Sequence, residues 1–215
     1  MRIRPFLCCM AVTSFLFTAC VQDKHLPQWK ELASGVWQIS AGTPEKLDLL
    51  SELNLHPKWD AIQTMEDAEL PIDPEEIRFQ LTDGKTYLRF PLDKDEKIFG
   101  LGLNFKTVEQ RGRILELHVD HYGGQDNGRT HAPVPFFVSD RGYGVLINSA
   151  RYIKAYVGTG VRKDTKNPPE VQDRNTDPSW SAQPYSDNLE FLVPAEGVEI
   201  YLFAGKRYAR CSPSF

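Results

Sequence analysis

Cysteine is scarce in this chain of 215 residues, and three of its four cysteines, Cys8, Cys9 and Cys20, fall within the first twenty positions. Only Cys211 lies further on. A domain beginning after Cys20 therefore has no internal disulfide and stands on its core alone. Long apolar runs are missing as well. Phe6–Thr18 holds about a dozen residues, against about twenty for a membrane-spanning helix. No basic cluster is present. The richest stretch, Arg162–Lys166, is interrupted by Asp164, and the net charge is −4. Neutralising phosphates needs a clustered basic face, so no nucleic-acid partner is expected. Repeats and coiled-coil heptads are absent too. What is there is ordinary globular material, 41% hydrophobic, 11% aromatic and 25% charged, enough for one core.

The first twenty residues read as a targeting segment. Arg2 and Arg4 form a positive start, Phe6–Thr18 an apolar middle, and Phe17-Thr18-Ala19-Cys20 the end. Small residues just before a cysteine resemble a bacterial lipobox, in which the cysteine is acylated and becomes the new N-terminus; Phe17 stands where Leu is usual. The expectation is a lipoprotein signal over 1–20 with lipid on Cys20, exported and membrane-anchored in the periplasm or at the cell surface. A plain secretory signal and an uncleaved anchor are the alternatives. Residues 21–34 are polar and are expected to be a tether.

Beyond Gly35 the text reads as short strands. Gly35–Ser40 alternates in part. Ile77, Phe79 and Leu81 alternate with Arg78 and Gln80, Asp83-Gly84 follows, and then Leu88, Phe90 and Leu92 alternate with polar neighbours. Asp-Gly between two alternating runs predicts a two-residue hairpin, because both turn positions need positive φ. Leu115, Leu117 and Val119 share a face. Val134–Val138 and Tyr143–Ile147 flank a second hairpin at Ser139–Gly142. Tyr152–Val157, Leu189–Val193 and Val198–Phe203 complete the set. Many short strands with turn punctuation predict an all-β antiparallel sandwich, not βαβ units. Pro44–Asn54, with Leu47, Leu50 and Leu53 at helical spacing, is either a short helix or a loop. Asn167–Asn188 has no strand pattern. Its Trp180 and Tyr185 either stack on a sugar face or pin the loop to the sandwich.

Several motifs carry a resemblance to a known family. Gly35-Val36-Trp37 and Gly42-Thr43-Pro44-Glu45-Lys46 are followed by Glu96-Lys97-Ile98-Phe99-Gly100-Leu101-Gly102. Val134-Pro135-Phe136-Phe137-Val138-Ser139 and Arg141-Gly142-Tyr143-Gly144-Val145-Leu146 come next. In this order they resemble the N-terminal galactose mutarotase-like β-sandwich of glycoside hydrolase family 31, which includes α-glucosidases and α-xylosidases. The resemblance covers 35–205, with 206–215 left as an unstructured tail. One departure is local: family members often carry Glu after the Gly-Leu-Gly, and here Leu103 and Asn104 follow.

The resemblance implies a sugar contact. In the family a sandwich loop reaches the sugar pocket, and an Asp on it holds sugar hydroxyls. Leu117-His118-Val119-Asp120-His121-Tyr122-Gly123-Gly124 occupies the matching place, and Asp120 is the residue carried over. A carboxylate suits the task because it only accepts and can hold two hydroxyls at once. The alternative is a turn in which Asp120 bonds a nearby backbone amide. His118, His121 and Trp180 are weaker candidates for the same contact. With His131 the histidines also invite a metal reading, but their spacing matches no zinc pattern, so neither a metal nor a cofactor is expected.

The hydrolytic pair of carboxylates is not expected in this chain. In the family both sit on a (β/α)8 barrel that follows the sandwich, one of them in a W-x-D-M-N-E-like strand end. Trp59-Asp60 is followed by Ala-Ile-Gln, and nothing else comes close. A barrel needs about 250 residues, whereas Lys206–Phe215 loses all pattern after Gly205. The expectation is therefore an inactive N-terminal fragment of an exported α-glycosidase, its gene or frame interrupted here. A surface carbohydrate-binding lipoprotein module is the alternative.

Overall fold

The computed structural model describes residues 26–46, 48–56, 58–64, 68–104, 106–119, 130–159 and 185–205. The targeting segment, Cys20 and the tail 206–215 lie outside these residues.

Two antiparallel sheets face each other across one core. The first has six strands, β1 (Gln28–Ala33), β2 (Val36–Gly42), β5 (Ile98–Gly100), β7 (Phe136–Ser139), β8 (Tyr143–Asn148) and β11 (Gly197–Ala204), in the spatial order β1-β2-β11-β8-β7-β5. The second has five, β3 (Arg78–Thr82), β4 (Lys85–Pro91), β6 (Arg113–Leu117), β9 (Ile153–Thr159) and β10 (Tyr185–Val193), in the order β3-β4-β10-β9-β6. The all-β sandwich expected from alternation is what forms.

Alternation sets which side chains meet. Leu88 and Phe90 of β4, Leu115 and Leu117 of β6, and Leu189, Phe191 and Val193 of β10 turn inward. Ile39, Phe137, Val145, Ile147, Ile200 and Leu202 meet them from the other sheet. Phe137 ties the layers together. Its ring stacks on Phe191 at 5.7 Å and meets Phe90 edge-on at 5.6 Å. Burying such a side chain stabilises by about 1.5–3 kcal/mol relative to leaving it in water.

The Asp83-Gly84 turn is as expected. Both residues have positive φ, 50° and 72°, and Thr82 pairs with Lys85. Ser139–Gly142 likewise joins paired strands, with Ser139 opposite Tyr143. The Pro194–Gly197 turn is different. It carries the chain from β10 in one sheet to β11 in the other, so it is a corner of the sandwich.

One expectation needs correction. Residues 28–33, expected inside the tether, form edge strand β1 against β2. Trp29 lies opposite Ile39 and packs on the core. One inward aromatic and a ready ladder suffice for an edge strand, and the polar residues around it protect that edge. Of the two readings left open over Pro44–Asn54, the short helix forms, as a single turn, α1 (Leu49–Glu52). Asp48 caps it by accepting the Ser51 N–H at 2.8 Å. Leu53 stays 62% exposed. Without an apolar face to bury, a helix has no reason to extend. A second short helix, α2 (Trp59–Gln63), and a 3₁₀ turn at Pro74–Glu76 follow.

Candidate functional site

The expected sugar loop rises from the end of β6, and its two stems are held together. Val119 bridges Thr130, and the Thr130 N–H donates to the His118 carbonyl at 3.4 Å. The residues between them, 120–129, lie outside the described structure, and so do two of the candidates, Asp120 and His121. Trp180 lies outside it as well. Of these candidates, His118 lies within the described residues.

His118 follows Leu117, which points into the core, so its ring turns to the outer face of the five-stranded sheet. It meets the Tyr152 ring edge-on at 4.3 Å, with the planes at 80°. Its Nδ1 is buried and has no hydrogen-bond partner. Tyr152 is 70% exposed beside it. Sequence reasoning placed Tyr152 in a strand and missed this pairing, because nothing local in the text links it to His118. His131, on the other stem, is exposed. Among the described residues, no group of three or more His, Cys, Asp or Glu converges as a metal site.

The Gly-Leu-Gly motif cradles the second stem. Gly100, Leu101 and Gly102 all have positive φ, 100°, 60° and 94°. This corner buries the Leu101 side chain completely while its N–H donates to the Phe136 carbonyl at 2.8 Å. The stem backbone lies so close that a Cβ on Gly102 would sit 2.4 Å from the Ala132 oxygen. Only glycine permits both that backbone conformation and that approach.

The other half of the motif is a buried polar lock. Glu96 is 3% exposed. Its Oε1 accepts from the Ser139 hydroxyl at 2.5 Å and the Tyr143 hydroxyl at 2.8 Å, and its Oε2 accepts the Asp93 N–H at 2.9 Å. Burial pushes the Glu96 carboxyl above the ordinary carboxylate range, against the pull of its two hydroxyl donors. Burial and the Glu96 charge push the Tyr143 phenol well up. Arg111 completes the lock. It donates to the carbonyls of Asp93 and Glu96 at 2.7 Å each and to that of Ser186, in the opposite sheet, at 3.2 Å. Glu96 precedes β5, and Tyr143 opens β8. The Glu96–Gly102 and Arg141–Leu146 fragments are therefore one structural unit that fixes the start of the Gly-Leu-Gly corner.

Residues 27–154 match a family model, the glycosyl hydrolase 31 N-terminal galactose mutarotase-like domain. The chain belongs to this family. An isomaltosyltransferase of Sporosarcina globispora is 30% identical to this family 31 domain over 84 residues, 37% of this chain and 8% of that protein. An alpha-xylosidase of Emericella nidulans is 28% identical over 133 residues, 47% of this chain and 17% of that protein. Among solved structures, the GH31 dextranase of Flavobacterium johnsoniae in complex with glucose superimposes with a TM-score of 0.51 at 16% identity, over 86% of this chain and 24% of that one. The family 31 domain thus spans a quarter or less of the length of each of these proteins.

Proposed function

We propose that this domain is the N-terminal sandwich of an exported glycoside hydrolase acting on α-linked sugars. Its part is to present the loop between His118 and His131 to a sugar, with Asp120 accepting hydrogen bonds from two hydroxyls. The chain by itself does not cleave the glycosidic bond, and lipid on Cys20 anchors it to a membrane.

The observation that carries this reading is the construction of the loop's base. A corner strained at Leu101 lies against Ala132, Thr130 bridges in turn to Val119, and a buried carboxylate lock fixes the start of that corner. A fold spends such strain where a loop must stand in one place. The chemistry around the loop agrees. An exposed Tyr152 ring offers an apolar face for a sugar ring, and His118 beside it brings a polar edge. Exposed Leu103, Val119 and Val134 gather on the stems and the corner they lean on. Apolar side chains grouped this way suit contact with a further protein surface, and a catalytic domain is the one proposed. Cleavage needs two placed carboxylates, and the sequence contains no W-x-D-M-N-E-like strand end to supply the nucleophile.

Titration of the chain with isomaltotriose, followed by amide chemical shifts, tests the reading. Shifts that cluster at His118, Val119, Thr130 and Tyr152 and vanish in Asp120→Ala support it. A titration that moves no loop residue at millimolar sugar counts against it.

A further inference from the structure

Asn104 follows the Gly100–Gly102 corner, and its side chain turns back onto it. The amide Nδ2 donates to the carbonyls of Gly100 and Gly102, both at 3.1 Å. The residue between corner and amide, Leu103, is bonded twice to the second stem of the loop. Its N–H donates to the Ala132 carbonyl at 3.1 Å, and its carbonyl accepts from the Thr130 hydroxyl. That hydroxyl in turn accepts the Ala132 N–H at 3.3 Å. Thr130 itself is buried and reaches across to the His118 carbonyl.

We propose that Asn104 and Thr130 are positioning residues, forming a clamp that sets Thr130–Ala132 against His118–Val119. The clamp rests on the sugar-loop reading for its purpose, and on the hydrogen bonds alone for its existence. The chemistry asks for these residue types. Two carbonyl oxygens converge on Asn104, so the group between them must donate twice, which an amide nitrogen does and a carboxylate cannot. At Thr130 one hydroxyl must donate to Leu103 and accept from Ala132 at once, which a valine of the same shape cannot do.

Two substitutions test this, Asn104→Asp and Thr130→Val, read by amide hydrogen exchange of the full chain. The Leu103 N–H reports on the clamp. The Ile147 N–H, bonded to the Pro135 carbonyl at 2.8 Å within the core, serves as the internal control. At pH 7 both variants are expected to lose about tenfold or more in Leu103 protection, while Ile147 changes less than about twofold. In Asn104→Asp the loss should shrink to about threefold or less at pH 4, because a protonated carboxyl regains one donor. Unchanged Leu103 protection, or parallel loss at Leu103 and Ile147 in both variants, overturns the clamp. Isomaltotriose titration adds the functional arm. A wild type that binds, with Asn104→Asp weaker by about fivefold or more at pH 7, supports the positioning role; equal affinity overturns it. A wild type that does not bind removes the sugar reading and this role together, while the exchange data still decide whether the clamp exists.

Discussion

Replacing Tyr143 with Phe deletes one hydroxyl from the lock and little else. The Phe ring keeps its edge-on contact with Phe137, 6.1 Å between centroids. What is lost is the donor 2.8 Å from Glu96 Oε1, in a site where both residues are 3% exposed. Water cannot take its place there. Leaving a buried acceptor without its donor costs about 1–3 kcal/mol, so we expect a loss of about 2 kcal/mol. For a domain of this size that corresponds to a melting temperature lower by about 4–8 °C. The pH dependence is the sharper signature. The Tyr143 hydroxyl lowers the Glu96 pKa in the folded state, so removing it raises that pKa further above the unfolded value. The variant should therefore be more impaired at neutral pH than in acid. It should recover part of the deficit near pH 4, where the carboxyl is protonated in both states. Urea unfolding at the two pH values measures this. A deficit below about 0.5 kcal/mol at pH 7, or one of the same size at both pH values, would refute the reasoning.

Other substitutions follow from the same geometry. Glu96 has a folded pKa above its ordinary 4.5, so its contribution to stability is fully present below that pH and is lost as pH rises through the folded value. Glu96→Gln should accordingly flatten the stability profile between pH 4.5 and neutrality in chemical denaturation. Gly102→Ala should cost about 1–3 kcal/mol from strain alone, and more from the clash with Ala132. Gly84→Ala, with φ at 72° and open space around it, should cost about 1–2 kcal/mol and leave the Leu103 amide untouched. If the exposed Leu103, Val119 and Val134 are an interface left open in the chain alone, the chain should associate at high concentration in sedimentation velocity and replacing them by Ser, Thr and Thr should lessen it; a chain that stays monomeric, or association unchanged by the replacement, counts against that interface.

Much of the sandwich was legible because its signals are local. Asp83-Gly84 between two alternating runs announces a hairpin, and the hairpin forms with both residues at positive φ. Strand β1 was not legible. Gln28–Ala33 has one large inward residue, Trp29, and owes its state to the ladder that β2 supplies. Over Pro44–Asn54 the text left a short helix and a loop open, and the helix forms as one turn only, with Leu53 beyond it still exposed. The site was legible in part. The Gly-Leu-Gly and Arg-Gly-Tyr fragments stood out as text, but their junction through Glu96, Ser139 and Tyr143 spans more than forty residues of sequence. No window of sequence displays it. The same holds for His118 with Tyr152, and for Asn104, whose task depends on a backbone corner that only the folded chain defines.

The most direct measurement is hydrolysis of an aryl α-glycoside by the purified full chain at high protein concentration. The account predicts release of the phenol at the rate of buffer alone, because on the proposed reading the sandwich presents a loop to the sugar and supplies neither nucleophile nor acid. Steady turnover that scales with protein and disappears on unfolding would contradict it.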